Sequence, residues 1–275
     1  MTVNKKTDET ASAGVIDIDR TIPLEGAFNA RDAGGLPTVD GAMMKRNVLL
    51  RMDSPHLLTE ADAAELLDNR GIRTILDLRY PEESRSHGIG LLARDDVVHL
   101  NVPIRSSDSS VAPGLREMVD SQPDRPHWEV TFEYYKGYFE CNDGAAIVSA
   151  ISELIRPGTL PALVHCAAGK DRTGVIIATA QSVAGVANEV IATDYAASAP
   201  AVPKIMERLV QSGLYGEISP GDSDRQVTRA ETMVALMDWI DTHFGGARQF
   251  LANRGMSDAD LDTLAGLLRE DQRPT

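Results

Sequence analysis

Cys166 and Arg172 stand with five residues between them in the run His165-Cys166-Ala167-Ala168-Gly169-Lys170-Asp171-Arg172-Thr173-Gly174. A cysteine is a strong nucleophile only as its thiolate. Helix N-termini and nearby cations lower a thiol's pKa to roughly 3.5–7.5. An arginine offers a planar fork of donors that matches two oxygens of a tetrahedral anion. A thiolate beneath a bound phosphate, with a guanidinium on its oxygens, suits phosphoryl transfer through a cysteinyl-phosphate. In this reading Cys166 and Arg172 are catalytic, and Ala167, Ala168, Gly169 and Lys170 supply the backbone that holds the anion. The Thr173 hydroxyl is placed to donate to the sulfur and help it leave.

That chemistry needs a strand to end at the cysteine and a helix to begin at the arginine. Residues 161–164 form a short apolar run that reads as a buried strand, and residues 175–180 read as a helix packed in a core. A short loop of small residues between them can curl its N–H groups inward into a nest. The following helix adds its own orphan N–H groups and positive dipole end. A second polar pair lies on another element. Residues 72–79 read as a buried strand with Asp77 and Arg79 near its C-terminal end, where ligands of open α/β sheets gather. Asp77 there can be catalytic, can orient an arginine, or can cap the turn that follows.

The loop resembles the H-C-x5-R-[ST] signature of the cysteine-dependent protein tyrosine phosphatase superfamily. Its Gly169-Lys170-Asp171-Arg172-Thr173-Gly174 form is similar to that of the atypical bacterial tyrosine phosphatases. A second stretch, Asn29-Ala30-Arg31-Asp32-Ala33-Gly34-Gly35, resembles the N-x-R-D-x-G-G segment of the same family. The resemblance implies a general acid at Asp171, inside the loop itself, in preference to Asp77. It also implies supporting roles for His165, Arg31, Asp32 and Arg79, and helices after the catalytic helix that cover the pocket. Residues 196–228, with a Gly-, Ser- and Asp-rich second half, are the candidate lid. The implied substrates are phosphotyrosine proteins, with wider scope for phosphoserine, phosphothreonine and phosphoinositides. Lys170 bears on the last, because a Gly-Lys pair in this place resembles the loop of inositol-lipid phosphatases. Two rival readings are a rhodanese-type sulfurtransferase and a phosphate-binding module without catalysis.

Composition narrows the partners. The chain has 275 residues and a formal net charge of −14, which argues against general nucleic-acid binding. No run approaches the ~18 apolar residues of a membrane span. Two cysteines make no disulfide framework and suit a reducing cytoplasm, or export without a recognisable signal. No metal or other cofactor is implied. The polar N-terminus, residues 1–18, is expected to be a disordered tail.

The remaining periodicities give the frame. Short strands are expected at 47–51 and 97–102. A helix capped by Thr59 should run to Gly71. Residues 127–156 read as two helices joined near 142–144, with an aromatic stripe at 128, 132, 135, 138 and 139 that reads as core. A helix at 187–197 follows the catalytic one, with Pro200 and Pro203 breaking the pattern before a short amphipathic helix at 204–210. Three helices close the chain at 230–243, 246–254 and 257–269. The expectation is a single doubly wound α/β domain over 19–272, built on a short, mostly parallel sheet.

Overall fold

The computed structural model describes residues 20–105, 107, 114–211 and 227–270. The expected tail and part of the candidate lid lie outside the described residues. Among the described residues five strands form one sheet: β1 (Arg31–Asp32), β2 (Leu49–Met52), β3 (Thr74–Asp77), β4 (Val98–Asn101) and β5 (Ala162–His165), in the order β1-β2-β5-β3-β4. Only β1 is antiparallel to its neighbour. β5 is central, and its register sets Met52 of β2 and Asp77 of β3 opposite His165. Three strands therefore end in one row, and Asp53, Leu78 and Cys166 leave the sheet together.

The central strands are buried on both sides, as parallel strands require. Leu49, Leu76, Ala162 and Val164 face the larger core, while Leu50, Met52, Ile75 and Leu163 face the smaller one. After the short α3 (Leu115–Asp120), the larger core is built with α4 (His127–Glu140), α5 (Ala145–Leu154), α6 (Asp171–Val183), α7 (Asn188–Ala196) and three closing helices, Ala230–Phe244, Ala247–Ala252 and Asp258–Leu268. The smaller core is covered by α1 (Glu60–Ala64), whose Thr59 cap accepts from the Asp62 N–H at 3.2 Å.

The strands and helices fall where hydrophobic periodicity puts them, with ends shifted by a residue or two. One local reading changes. Pro203 does not break the pattern ahead of the helix read at 204–210. It sits in the first turn of α8 (Val202–Gln211), where a backbone N–H has no intrahelical partner to lose. The stretch from Asn29 to Gly35 contains β1, and Arg31 pairs with Asp194. Asp32 accepts from the Gly34 and Asn47 N–H groups at 2.8 and 2.7 Å, fixing its own turns and not the catalytic loop.

Candidate active site

The loop between β5 and α6 is held open from outside. The Ser54 N–H donates to the Ala167 carbonyl at 3.0 Å. Asn29 Nδ2 donates to the Ala168 and Gly169 carbonyls at 3.2 and 3.1 Å, and Arg51 Nη2 to the Gly169 carbonyl at 2.8 Å. In a trans peptide the N–H points opposite its C=O. Three carbonyls drawn outward therefore turn the N–H groups of Ala168, Gly169 and Lys170 toward the inside of the curl. Gly169 makes the curl sterically feasible. Its φ is +63°, and a Cβ there would lie 2.3 Å from the Met52 carbonyl oxygen. Cys166 is buried at the base of this loop, 2% exposed.

Arg172, in the first turn of α6, is held from the side by α2 (Pro81–His87). Its Nη1 and Nη2 donate to Glu83 Oε2 and Oε1 at 2.6 and 3.1 Å. Glu83 also accepts from the Tyr80 N–H at 2.7 Å, closing the N-terminal turn of α2. Burial pushes the Glu83 carboxyl up, but the Arg172 charge and these hydrogen bonds outweigh it and hold the group below its ordinary value. The Arg105 and Arg172 guanidiniums both lie over the Tyr80 ring, 4.3 and 5.1 Å from its centroid.

Beneath the loop three guanidiniums meet one carboxylate. Asp194 of α7 pairs with Arg20 at 2.5 Å, Arg31 at 3.2 Å and Arg51 at 3.1 Å. Arg31 also donates to Asn29 Oδ1 at 2.5 Å, which orients the amide that holds the loop. Burial and the neighbouring Arg51 bring Arg31 down to about 9, so it remains charged at neutral pH. Burial likewise opposes the charge on Arg51, while Asp194 and Cys166 favour it. The excess of positive charge under the sulfur suits an anion above it.

Asp171 opens α6, and its Oδ1 accepts from the Tyr135 hydroxyl at 2.6 Å. The Tyr135 and Tyr195 hydroxyls lie 2.7 Å apart. Lys170 Nζ is 3.6 Å from the same Asp171 oxygen. The Lys170 side chain is buried, so it points inward in this conformation instead of standing free at the rim.

Asp77 is not placed to donate a proton. It is fully buried, and its carboxylate accepts from Arg79 Nε at 2.9 Å, Arg79 Nη2 at 2.7 Å, the Arg79 N–H at 3.0 Å and Ser84 Oγ at 2.8 Å. Burial alone would raise it, yet His165, the His99 Nε2 contact at 3.1 Å and the Arg79 pairing keep it well below the usual carboxylate range. His165, 3.7 Å away, is pushed by burial down to about 4 and is neutral at pH 7, so Arg79 supplies the opposing charge. Of the alternatives read from sequence, Asp77 thus orients an arginine and caps the turn. Arg79 in turn donates to Ser54 Oγ at 3.0 Å, on the same residue whose N–H holds Ala167. His165 Nδ1 contacts the Cys166 carbonyl at 3.2 Å. The Thr173 hydroxyl is buried without a hydrogen-bond partner among the described residues, so the expected bond to the sulfur is not formed in this conformation.

α8 lies directly on the loop. Its Val202, Ile205, Met206 and Leu209 form one apolar cluster with Ala167 and Ala168. Arg208 fixes it from below, pairing with the buried Asp53 and donating to the Gly26 carbonyl at 2.5 Å, with its guanidinium 4.6 Å from the Phe28 centroid. Asp53 also receives the Phe28 and Asn29 N–H groups at 3.1 and 3.0 Å.

The model of the tyrosine phosphatase family matches residues 22–270, nearly the whole described chain. The chain belongs to the tyrosine phosphatase family. It is 28% identical over 279 residues to the triple specificity protein phosphatase PtpB of Mycobacterium tuberculosis, covering 89% of this chain and 98% of that protein. It is 27% identical to a tyrosine-protein phosphatase of Nostoc commune, over 75% of this chain and 69% of that protein. Among solved structures, the core catalytic domain of the PP-IP phosphatase SIW14 from S. cerevisiae aligns at 16% identity and a TM-score of 0.35. That alignment covers 64% of this chain and 86% of that one. Among the described residues no helix is long and apolar enough to cross a membrane.

Several groups around the loop escape a motif reading: Arg51, Asp53, Glu83, Tyr135, Asp194, Tyr195 and Arg208. The sequence does carry a trace of one. Arg51 interrupts the buried run 48–52 with a charge and is followed at once by Asp53. A charged residue within a buried strand needs a partner or a function.

Proposed function

We propose that the chain hydrolyses phosphomonoesters through a thiophosphate on Cys166. The thiolate attacks phosphorus as the ester oxygen leaves, so an S–P bond forms while the P–O bond breaks. Asp171 gives the departing oxygen its proton. Water then attacks the phosphoenzyme with Asp171 as base, the S–P bond breaks, and inorganic phosphate is released. The loop N–H groups and Arg172 stabilise the charge on the equatorial oxygens in both steps.

The observation that carries this reading is the set of outward-held carbonyls above a buried cysteine. A Gly turn with no anion to bind has no reason to recruit Asn29, Arg51 and Ser54 to its three successive carbonyls. α8 is the proposed lid, and it must lift or slide for a bulky phosphoester to reach Cys166.

Phosphotyrosine proteins are the proposed principal substrates, with phosphoserine, phosphothreonine and phosphoinositides in wider scope. The printed name of the mycobacterial relative, a triple specificity phosphatase, supports that breadth. The inward position of Lys170 near Asp171 favours a role in the chemistry over one in headgroup recognition. A panel of a phosphotyrosine peptide, a phosphoserine peptide, a phosphoinositide vesicle and thiosulfate tests the proposal. Phosphate release from the peptides, and Lys170→Ala losses equal on peptide and lipid, are expected. Thiosulfate turnover without phosphate release would replace the proposal with a sulfurtransferase.

A further inference from the structure

We infer that Tyr135, backed by Tyr195, is a positioning residue that fixes which oxygen of Asp171 carries the transferable proton. The inference rests on the reading of Asp171 as the acid.

The two phenols form a one-way hydrogen-bond chain. Tyr135 and Tyr195 are buried, and each has a single hydroxyl proton. The Tyr195 hydroxyl has one hydrogen-bond contact among the described residues, the Tyr135 hydroxyl at 2.7 Å. If Tyr135 donated to Tyr195, the Tyr195 proton would be buried without an acceptor, at a substantial cost. The arrangement that satisfies every donor runs from Tyr195 to Tyr135 and from Tyr135 to Asp171 Oδ1. Burial raises both phenols above their ordinary pKa, so neither loses its proton in the working range.

Oδ1 is thus committed as an acceptor. The ammonium of Lys170, 3.6 Å from the same oxygen, adds a positive charge that disfavours a proton there. A proton on Asp171 must sit on Oδ2, which the chain leaves uncommitted. Asp171 is about a quarter exposed, in contrast to the buried carboxylates around it, so this oxygen has somewhere to deliver its proton. The geometry depends on a close fit. A Cβ on Gly174 would lie 2.9 Å from the Tyr195 ring, so the last glycine of the loop signature is what lets α7 bring that ring against α6. Tyr135, part of the aromatic stripe that reads as core, has its ring in the core and its hydroxyl on the acid.

The test is a leaving-group series of aryl phosphates on the full chain, from nitrophenyl phosphates to phenyl phosphate. Wild type, Tyr135→Phe, Tyr195→Phe, Asp171→Asn and the Tyr135→Phe/Asp171→Asn double variant are compared. Tyr135→Phe is expected to lower kcat/KM on phenyl phosphate by about tenfold and on the best leaving group by less than about twofold, the scale of one lost hydrogen bond. Vanadate affinity and thermal midpoint, measured in parallel, should stay near wild type. In the Asp171→Asn background the tyrosine change should add nothing. Tyr195→Phe, which keeps the direct donor, should show the same trend more weakly, and it carries the test if Tyr135→Phe fails to fold. A loss uniform across the series would give Tyr135 a merely structural role and overturn the inference. If Asp171→Asn steepens the series and Tyr135→Phe does not, the inference alone fails. If Asp171→Asn is itself flat, the assignment of the acid fails and the inference with it.

Discussion

Asp194 and Tyr195 are consecutive residues of α7, and their side chains serve two different parts of one loop. Asp194 anchors Arg51, which holds the Gly169 carbonyl, while Tyr195 contacts Tyr135, which holds Asp171. One turn of α7, the next helix along the chain, thus serves both the proposed anion cradle and the proposed acid. Replacing Asp194 with Asn leaves three guanidiniums around a neutral group. Unfolding free energy should drop by about 3–5 kcal/mol, the usual cost of breaking a buried pair from one side. The charge on Asp194 is favoured by its arginines against burial, so its folded pKa lies below its unfolded value near ~3.9. Its contribution is therefore complete above that value and lost as pH falls through the folded pKa. In urea titrations the gap between wild type and Asp194→Asn should be constant above about pH 5 and narrow below about pH 4. His56 and His165, which burial brings to about 4, should cost both proteins stability from about pH 6.5 downward. A gap that already closes between pH 5 and 7 would contradict this assignment.

Glu83 should matter to catalysis without touching substrate. It holds two of the Arg172 nitrogens in a bidentate pair, which fixes the plane of the guanidinium. Glu83→Gln keeps the shape and removes the charge, so kcat/KM should fall by about tenfold with the protein still folded. Arg172→Lys should be worse, because an ammonium offers no fork. Unchanged kcat/KM in Glu83→Gln would mean that Arg172 is oriented by other contacts.

α8 should gate access to the nucleophile. Arg208→Met keeps the stem of the side chain and removes the fork that joins α8 to Asp53 and Gly26. Such charged hydrogen bonds are worth about 1.5–3 kcal/mol, so alkylation of Cys166 by iodoacetamide should speed up by at least about tenfold. Far-UV circular dichroism verifies that the fold is kept. An unchanged alkylation rate would show that α8 does not limit entry.

The parts of this site that lie together in the chain were legible in its sequence. Cys166, Arg172 and the glycine between them are adjacent, and their spacing alone implies a strand, a nest and a helix. The sheet was legible too, because buried parallel strands read as apolar runs. The supporting groups were not, because each is chosen by a contact across the fold. Glu83 reaches Arg172 across 89 residues, and Arg51 reaches Asp194 across 143. Asp77 shows the converse. Its place at a strand end left a catalytic role open, and only the four hydrogen bonds from Arg79 and Ser84 reveal that its charge is already spent. Tyr135 reads as core because its ring is core, and a stripe at helical spacing gives no sign that one hydroxyl reaches Asp171.

In the proposed mechanism phosphate passes through the sulfur of Cys166. Single-turnover reaction with an aryl phosphate bearing a good leaving group, acid-quenched within the first turnover and read by peptide mass spectrometry, tests it directly. One phosphoryl group is expected on the peptide containing Cys166 in wild type, accumulating further in Asp171→Asn. None is expected in Cys166→Ser, which should retain vanadate binding without turnover. A phosphoryl group on another residue, or continued turnover by Cys166→Ser, would contradict that mechanism.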